Sequence, residues 1–314
     1  MKYINELQVG ERIQEIYLCK SKQRLTTKAN KDYISLTLQD KTGLLDGKIW
    51  NESNAIDDFD EMDYIEVIGI VTSFQGANQL NITRVRRCSE GEYVIADYLP
   101  TSKNDINDMY SQLLSYVDSV KQPHLRKLLE SFFVSDKDFA KSFKNHSAAK
   151  SVHHGFIGGL LEHTLNVANL CDFYSKQYPL INRDLLIAAA LFHDIGKVKE
   201  LSTFPFNDYT DEGQLLGHIF MGAEMIGEKI AQIQGFPKEL ELELKHCILA
   251  HHGELEYGSP KKPALIEAVA LNYADNTDAK MQIMIEALEG APVNTQWLGY
   301  NRLIESNIKR TSSN

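Results

Sequence analysis

Two hydrophobic periods divide this chain of 314 residues, and one sheet or one helical bundle could not satisfy both. From residue 12 to about residue 87 the apolar positions tend to alternate. IQEIYLC, DYISLTLQD, GLLDGKIW, YIEVIGIVTSF and NQLNITRVR are short runs rich in β-branched and aromatic residues, separated by the breakers TTKANKD, DKTG, NESNAIDDFDEMD and QGAN. From residue 151 onward the spacing becomes three to four. LLEHTLNVANLCDFY, DLLIAAALFHDIGK, GHIFMGAEMIGEKIAQI, LELELKHCILAHH and ALIEAVALNYADNTDAKM each read as a helix. The expected organisation is a β domain over residues 1–91, a helical connector over 92–150 and an all-α domain over 151–314, in line with the length.

Five strands, with room for a short helix in the acidic segment 51–63 between the third and fourth, follow the order of an OB-fold barrel. Periodicity alone leaves other small β-barrels open. The expected fold class is therefore α+β multidomain, a five-stranded OB-fold barrel followed by helices. An OB barrel binds single strands through one strand face and the loop between its first two strands. That segment, KSKQRLTTKANKD, is the most basic stretch of a chain whose net charge is −10. Lys20, Lys22, Arg24, Lys28 and Lys31 face only Asp32 there, and Arg84, with Arg86 and Arg87, extends the patch. Tyr17, Tyr33, Trp50 and Phe74 are candidates for stacking on bases. Most strand aromatics belong to cores, so one or two of them, Tyr33 and Phe74 among them, are expected at the surface. A solvated loop would account for the same lysines.

Four cysteines lie far apart without a CxxC pair, which argues against a disulfide framework and a zinc ribbon and points to a reducing compartment, the cytoplasm. The opening MKYINELQVGER has no apolar core of a signal peptide, and the longest apolar run, residues 185–192, is far too short to span a bilayer.

Histidine is the asymmetric residue. The first of the ten is His124, so imidazole chemistry belongs to the second half. His193 and Asp194 adjoin at the end of a strongly apolar helix. His163 sits among apolar neighbours, His218 opens the next helix, His251 and His252 end another, and Asp275 lies inside an apolar run. Any one of these is more simply a cap or a satisfied core residue. Together they indicate a metal cluster, because each would be a costly polar group if left alone. Imidazole and carboxylate without thiolate suit manganese, iron, cobalt or zinc more than magnesium, and a bridged pair of such ions activates water and neutralises a phosphoryl group. Lys197, four residues beyond His193 and so on the same helical face, could contact a phosphate oxygen, and a solvated helix-end lysine would account for it equally. His153 and His154 stand one loop before the first ligand and could donate to a phosphate or a leaving oxygen. Glu254 could orient one of the paired histidines, with Tyr257 and Lys261 weaker candidates at the mouth.

The order H…HD…H…HH…D resembles the HD phosphohydrolase superfamily over about residues 151–281. That resemblance implies one metal held by His163, His193, Asp194 and Asp275, and a second held by Asp194, His218 and His251. His252 is then a substitute or an outer partner, since neighbours on a helix point about a hundred degrees apart. Catalytic roles would fall to Asp194, Lys197 and His154. Over its whole length the chain resembles the YhaM-type 3′→5′ exoribonucleases, through INELQVGERI, HHGFIGGLLEHTLNVANLC, AALFHDIGKVKEL, GHIFMGAEMI and ILAHHGELEYGSPKKP. The resemblance implies a manganese-dependent enzyme that releases nucleoside 5′-monophosphates from single-stranded RNA by attack of a metal-activated hydroxide, with single-stranded DNA a further partner. Members have also been described as single-stranded-DNA-binding factors. The residues leave two other readings open, a hydrolase of a small nucleotide or cyclic dinucleotide and a non-catalytic single-strand-binding factor. A small barrel on a connector also leaves surface for a homo-oligomer.

Overall fold

A computed structural model describes residues 1–27, 30–50, 55–150 and 154–312 of the chain. Two compact units divide it, Met1–Pro100 and Thr101–Asn314.

The first unit is a closed barrel of β1 (Arg12–Thr26), β2 (Asp32–Asp40), β3 (Gly43–Ile49), β4 (Tyr64–Phe74) and β5 (Ala77–Arg87), joined in the order β1-β2-β3-β5-β4. All pairs are antiparallel except β3 with β5. This is the OB-fold topology. Alternation drives it. On β2, Ile34, Leu36 and Leu38 point inward to meet Val67, Val71 and Leu80, while Tyr33, Ser35 and Thr37 face outward.

Two expectations need correction here. The basic segment between the first two strands is mostly strand. β1 continues to Thr26, pairing Ser21 with Thr37 and Thr26 with Asp32, and side-chain hydrogen bonds reinforce both pairs (2.9 and 2.8 Å). Polar cross-strand pairs extend the hairpin where no apolar alternation announces it. Lys20, Lys22 and Arg24 thus lie on β1, and Lys28 lies outside the described residues. The short helix expected in 51–63 is not found in residues 55–63, where Ile56 instead bridges Val85 and Phe59 fills the barrel interior. Residues 51–54 lie outside the described residues.

The second unit contains α1 (Ile106–Ser119), α2 (Pro123–Phe133), α3 (Lys137–Asn145), α4 (Gly159–Gln177), α5 (Arg183–Phe192), α6 (Lys197–Glu200), α7 (Asp211–Ile230), α8 (Lys238–Ala250) and α9 (Ile266–Gly290), then a hairpin of β6 (Trp297–Asn301) and β7 (Ser306–Lys309). β7 takes in Ile308 and Lys309. Every residue of α5 from Leu185 to Phe192 is buried, as a helix that is apolar all round must be. The others pack about it. The segment expected to be a connector contributes to this core: Leu125, Leu129, Phe132 and Phe133 of α2 and Phe143 of α3 are fully buried, and the Phe132 and Phe192 rings meet edge to face with centroids 5.2 Å apart. Asp105, Gln122 and Asp136 cap the three helices, each accepting from a backbone N–H of the first turn. No helix among the described residues is long and apolar enough to cross a membrane.

This packing predicts that a fragment beginning at Thr101 folds by itself, whereas one beginning at residue 151 does not. Stripping several large apolar groups from a core costs about 2–5 kcal/mol each, which exceeds the total stability of a typical domain. Urea or thermal unfolding followed by circular dichroism distinguishes them. Cooperative unfolding of the shorter fragment would disprove the shared core.

Candidate metal centre

Helix ends build this site. α5 stops at Phe192, and His193 turns its Nδ1–H back onto the Ala190 carbonyl (2.8 Å). α8 stops at Ala250, and His251 donates likewise to the Ile248 carbonyl (2.7 Å). Each ring satisfies one of the carbonyls that a helix C-terminus leaves orphaned, and so fixes its own orientation. His252 follows His251 in the turn after α8, and the two rings stay side by side. Its Nδ1–H donates to the Tyr257 carbonyl (2.8 Å), and the two ring centroids lie 4.3 Å apart. On α4, His163 donates through Nδ1 to Asp278 Oδ2 (2.7 Å). On α7, His218 follows a kink at Gly217 and places Nδ1 2.9 Å from Glu200 Oε1. In all five histidines Nδ1 is occupied by an acceptor, so Nε2 carries the free lone pair. That is the arrangement of an imidazole prepared for a metal.

The Nε2 atoms converge on the buried carboxylate of Asp194 from two sides. Around Oδ2, the Nε2 atoms of His163 and His193 each lie 3.4 Å away and 3.1 Å from one another, and Asp275 Oδ1 is 3.2 Å from His163 Nε2. Around Oδ1, the Nε2 atoms of His218 and His251 lie at 3.4 and 3.8 Å. Ligand atoms of His218, His251 and His252 all fall within 4.8 Å of one another. Ions bound at about 2.1 Å hold adjacent ligand atoms about 3.0–3.4 Å apart, so these spacings fit a divalent metal. A second observation agrees. Asp194 Oδ1, His218 Nε2 and His251 Nε2 are buried without a hydrogen-bond partner among the described residues, and such a group is costly unless something else satisfies it.

Charge points the same way. Burial alone would raise the Asp194 carboxyl, but Lys197 and the surrounding histidines hold it well below the usual carboxylate range. Asp275 is likewise depressed against its burial, by His163 and its neighbours. His163 is buried too, yet Asp194, Asp275 and Asp278 around it raise its affinity for positive charge. The negative ends of α5 and α8 add to that field. Burial and the nearby His252 keep His251 neutral, as a ligand must be. Lys197 does not continue the helix of His193. It begins α6 after a turn, and its ammonium lies 2.7 Å from Asp194 Oδ2. The turn is possible because Gly196 lets α6 approach α7: a Cβ there would stand 2.0 Å from the His218 carbonyl oxygen.

Other expected residues fall elsewhere. His154 is fully buried with Nε2 2.9 Å from Asp278 Oδ2, so it faces an internal carboxylate rather than an approaching phosphate. His153 lies outside the described residues. Glu254 pairs with Lys262 (2.6 Å) and orients no histidine. Tyr257 acts through its carbonyl, and that of Lys261 accepts from Ser259.

On the barrel, Tyr17 is core, its hydroxyl donating to the Lys2 carbonyl (3.1 Å). Tyr33 stacks on Trp50 at 4.9 Å, and Trp50 and Phe74 are 46% and 57% exposed. Lys22 is tied to the Phe59 carbonyl, with its ammonium 4.2 Å above the Phe59 ring. Arg86 pairs with Glu66 and Glu92, and Arg87 with Asp63, so these three cations are committed within the barrel. Lys20, Arg24, Lys31 and Arg84 are exposed.

The HD domain family matches residues 160–280, the stretch that carries His163 through Asp278. Similar proteins of full length are the 3′-5′ exoribonuclease YhaM of Bacillus velezensis and that of Bacillus subtilis, each 37% identical over 288 residues spanning 90% of this chain and 89% of the relative. That of a Geobacillus species is 36% identical over 92% of this chain and 88% of its own. The chain belongs to the YhaM exoribonuclease family. Among solved structures, the second OB-fold domain of replication protein A from Methanococcus maripaludis covers 30% of this chain and 97% of its own at 21% identity, with a TM-score of 0.22 that bears on nothing further.

In this YhaM-family chain two carboxylates escaped the reading of the sequence. Asp278 stands three residues after Asp275 on α9, hence on the same face, and that spacing was the available signal. Glu200 ends the short α6, and only the tertiary contact with His218 reveals it. Both are expected to act by orienting an imidazole. Asp278→Asn should weaken metal affinity about 10–100-fold with the far-ultraviolet circular dichroism unchanged. Titration calorimetry with manganese measures this, and unaltered affinity would remove Asp278 from the site.

Proposed function

We propose that this chain is a two-metal 3′-5′ exoribonuclease that shortens single-stranded RNA and releases nucleoside 5′-monophosphates. The observation that carries the reading is Asp194, whose two oxygens face two different sets of histidines. His163, His193, Asp194 and Asp275 would hold one ion, and Asp194, His218, His251 and His252 the other. This set of imidazoles and carboxylates suits manganese, iron, cobalt or zinc, and manganese is the ion that the family resemblance implies. Such ions, when bound, supply water activated near neutral pH and neutralise phosphoryl charge. The chain does the rest. Asp278 and Glu200 hold His163 and His218 in the tautomer with Nε2 bare, and the helix-end carbonyls do so for His193 and His251. Lys197 keeps a positive charge beside Asp194, on the side where a non-bridging phosphate oxygen would collect. His154, buried against Asp278, supports that carboxylate rather than protonating a leaving group.

The barrel would hold upstream nucleotides through backbone charge and base stacking. Tyr33 with Trp50, and Phe74, offer the rings. Lys20, Lys31 and Arg84 offer the charge, with single-stranded DNA a second strand that such contacts would accept. Four free cysteines, three of them buried, fit a protein of a reducing compartment, the cytoplasm.

Incubation of 5′-labelled single-stranded RNA with manganese, resolved on a gel, tests the activity. A ladder that shortens from the 3′ end, lost with a chelator and with Asp194→Ala, is the expected result. Intact RNA alongside hydrolysis of a small nucleotide would overturn it in favour of a small-molecule hydrolase. For the barrel, Tyr33→Ala combined with Trp50→Ala should reduce affinity for a long single strand by about 1–3 kcal/mol for each base that loses its stack. Anisotropy of a labelled strand on the Asp194→Ala background reads it, and an unchanged Kd would move the strand to another surface.

A further inference from the structure

The hairpin that follows α9 lies outside the residues matched by the HD domain family. Its strands are in an unusual register. Trp297 faces Lys309, Gly299 faces Ile308, and Tyr300 faces Asn307, with a shift between Trp297 and Gly299. Ile308 is 4% exposed and anchors one face of the ribbon to the protein. Asn307 and Lys309 flank it and therefore point to the opposite face. Their cross-strand partners Tyr300 and Trp297 share that outward face. Without the bulge, residues three apart on one strand would point to opposite sides. The irregularity, eased by a positive φ of 91° at Gly299, is what sets both rings toward solvent. Trp297 is 60% exposed and Tyr300 64%.

Charge on the ribbon runs against that of the chain. Between residues 297 and 310 the cations Arg302, Lys309 and Arg310 meet one carboxylate, Glu305, in a protein of net charge −10. Lys309 holds its ammonium 5.4 Å from the centroid of Trp297, so one cation stands beside the stacking ring. Arg302 is exposed at the turn, while Arg310 is occupied by the carbonyls of Leu288 and Ala291. Two solvent-facing aromatic rings with lysine and arginine beside them are the elements of a sequence-tolerant site for unpaired bases. An apolar protein partner would gain nothing from Lys309 and Arg302.

We propose that the β6–β7 ribbon is a second single-strand contact, in which Trp297 and Tyr300 stack on bases and Lys309 and Arg302 meet the backbone phosphates. This rests on the exoribonuclease reading above. The chain has two tryptophans, so Trp50→Phe leaves Trp297 as the only indole, and Asp194→Ala keeps the strand intact. Titration of that full-length variant with labelled single-stranded RNA should quench Trp297 emission over the range in which RNA anisotropy rises. Replacing Trp297 and Tyr300 together by Ala should weaken RNA affinity about 5- to 150-fold for each lost stack. A rise in anisotropy with Trp297 emission unchanged, or the double variant binding as tightly as its parent, would overturn the proposal. Emission that varies with protein concentration before RNA is added would make the ribbon a self-association face and overturn it equally. If the unsubstituted chain neither binds nor shortens the RNA, the exoribonuclease reading itself fails and takes this inference with it.

Discussion

A carboxylate buried in the middle of a helical core is the constraint on which the second unit depends. Asp194 is 2% exposed, and an ionised group so placed is tolerable only when surrounded by partners. Four histidines and a lysine gather about it from α4, the ends of α5 and α8, α6 and α7. The need to satisfy one buried charge therefore ties together most of the elements that wrap the apolar α5. The core supplies the cohesion and the carboxylate supplies the register.

The same economy of design recurs at each histidine. Where a helix ends, its last carbonyls lack donors, and His193 and His251 provide them while aiming their other nitrogen inward. A structural requirement of the fold thus becomes the orienting contact of the site. Where no helix end is at hand, as for His163 in mid-helix, a carboxylate from α9 takes that place.

These facts explain what was legible in the sequence. Ligand types on apolar helices announce themselves, because a histidine amid leucines is conspicuous, and His163, His193, Asp194, His218, His251 and Asp275 were all expected where they converge. The supports were less visible. Glu200 reads as one more helix-end acid, and a backbone carbonyl such as that of Tyr257 leaves no trace in composition. His252 was judged by the angle between neighbours on a helix, which left it a substitute or an outer partner, and its ring lies 4.3 Å from that of His251. In the barrel, alternation identified the strands, but the polar end of β1 is held by cross-strand pairs that show no period. Charge was the poorest guide. Lys22, Arg86 and Arg87 look available in the sequence and are engaged by Phe59, Glu66, Glu92 and Asp63.

Gly217 carries a consequence for inheritance. Its backbone, at φ 73° and ψ 154°, occupies a region open in practice only to glycine, and the next residue is His218, whose N–H and ring both reach Glu200. Any missense change at that codon would put a side chain in this region and strain the kink that sets His218 against Glu200. His163 and His193 stand on other elements, so such a lesion would fall first on His218. The codon is therefore expected to stay glycine for as long as the contact between His218 and Glu200 is kept.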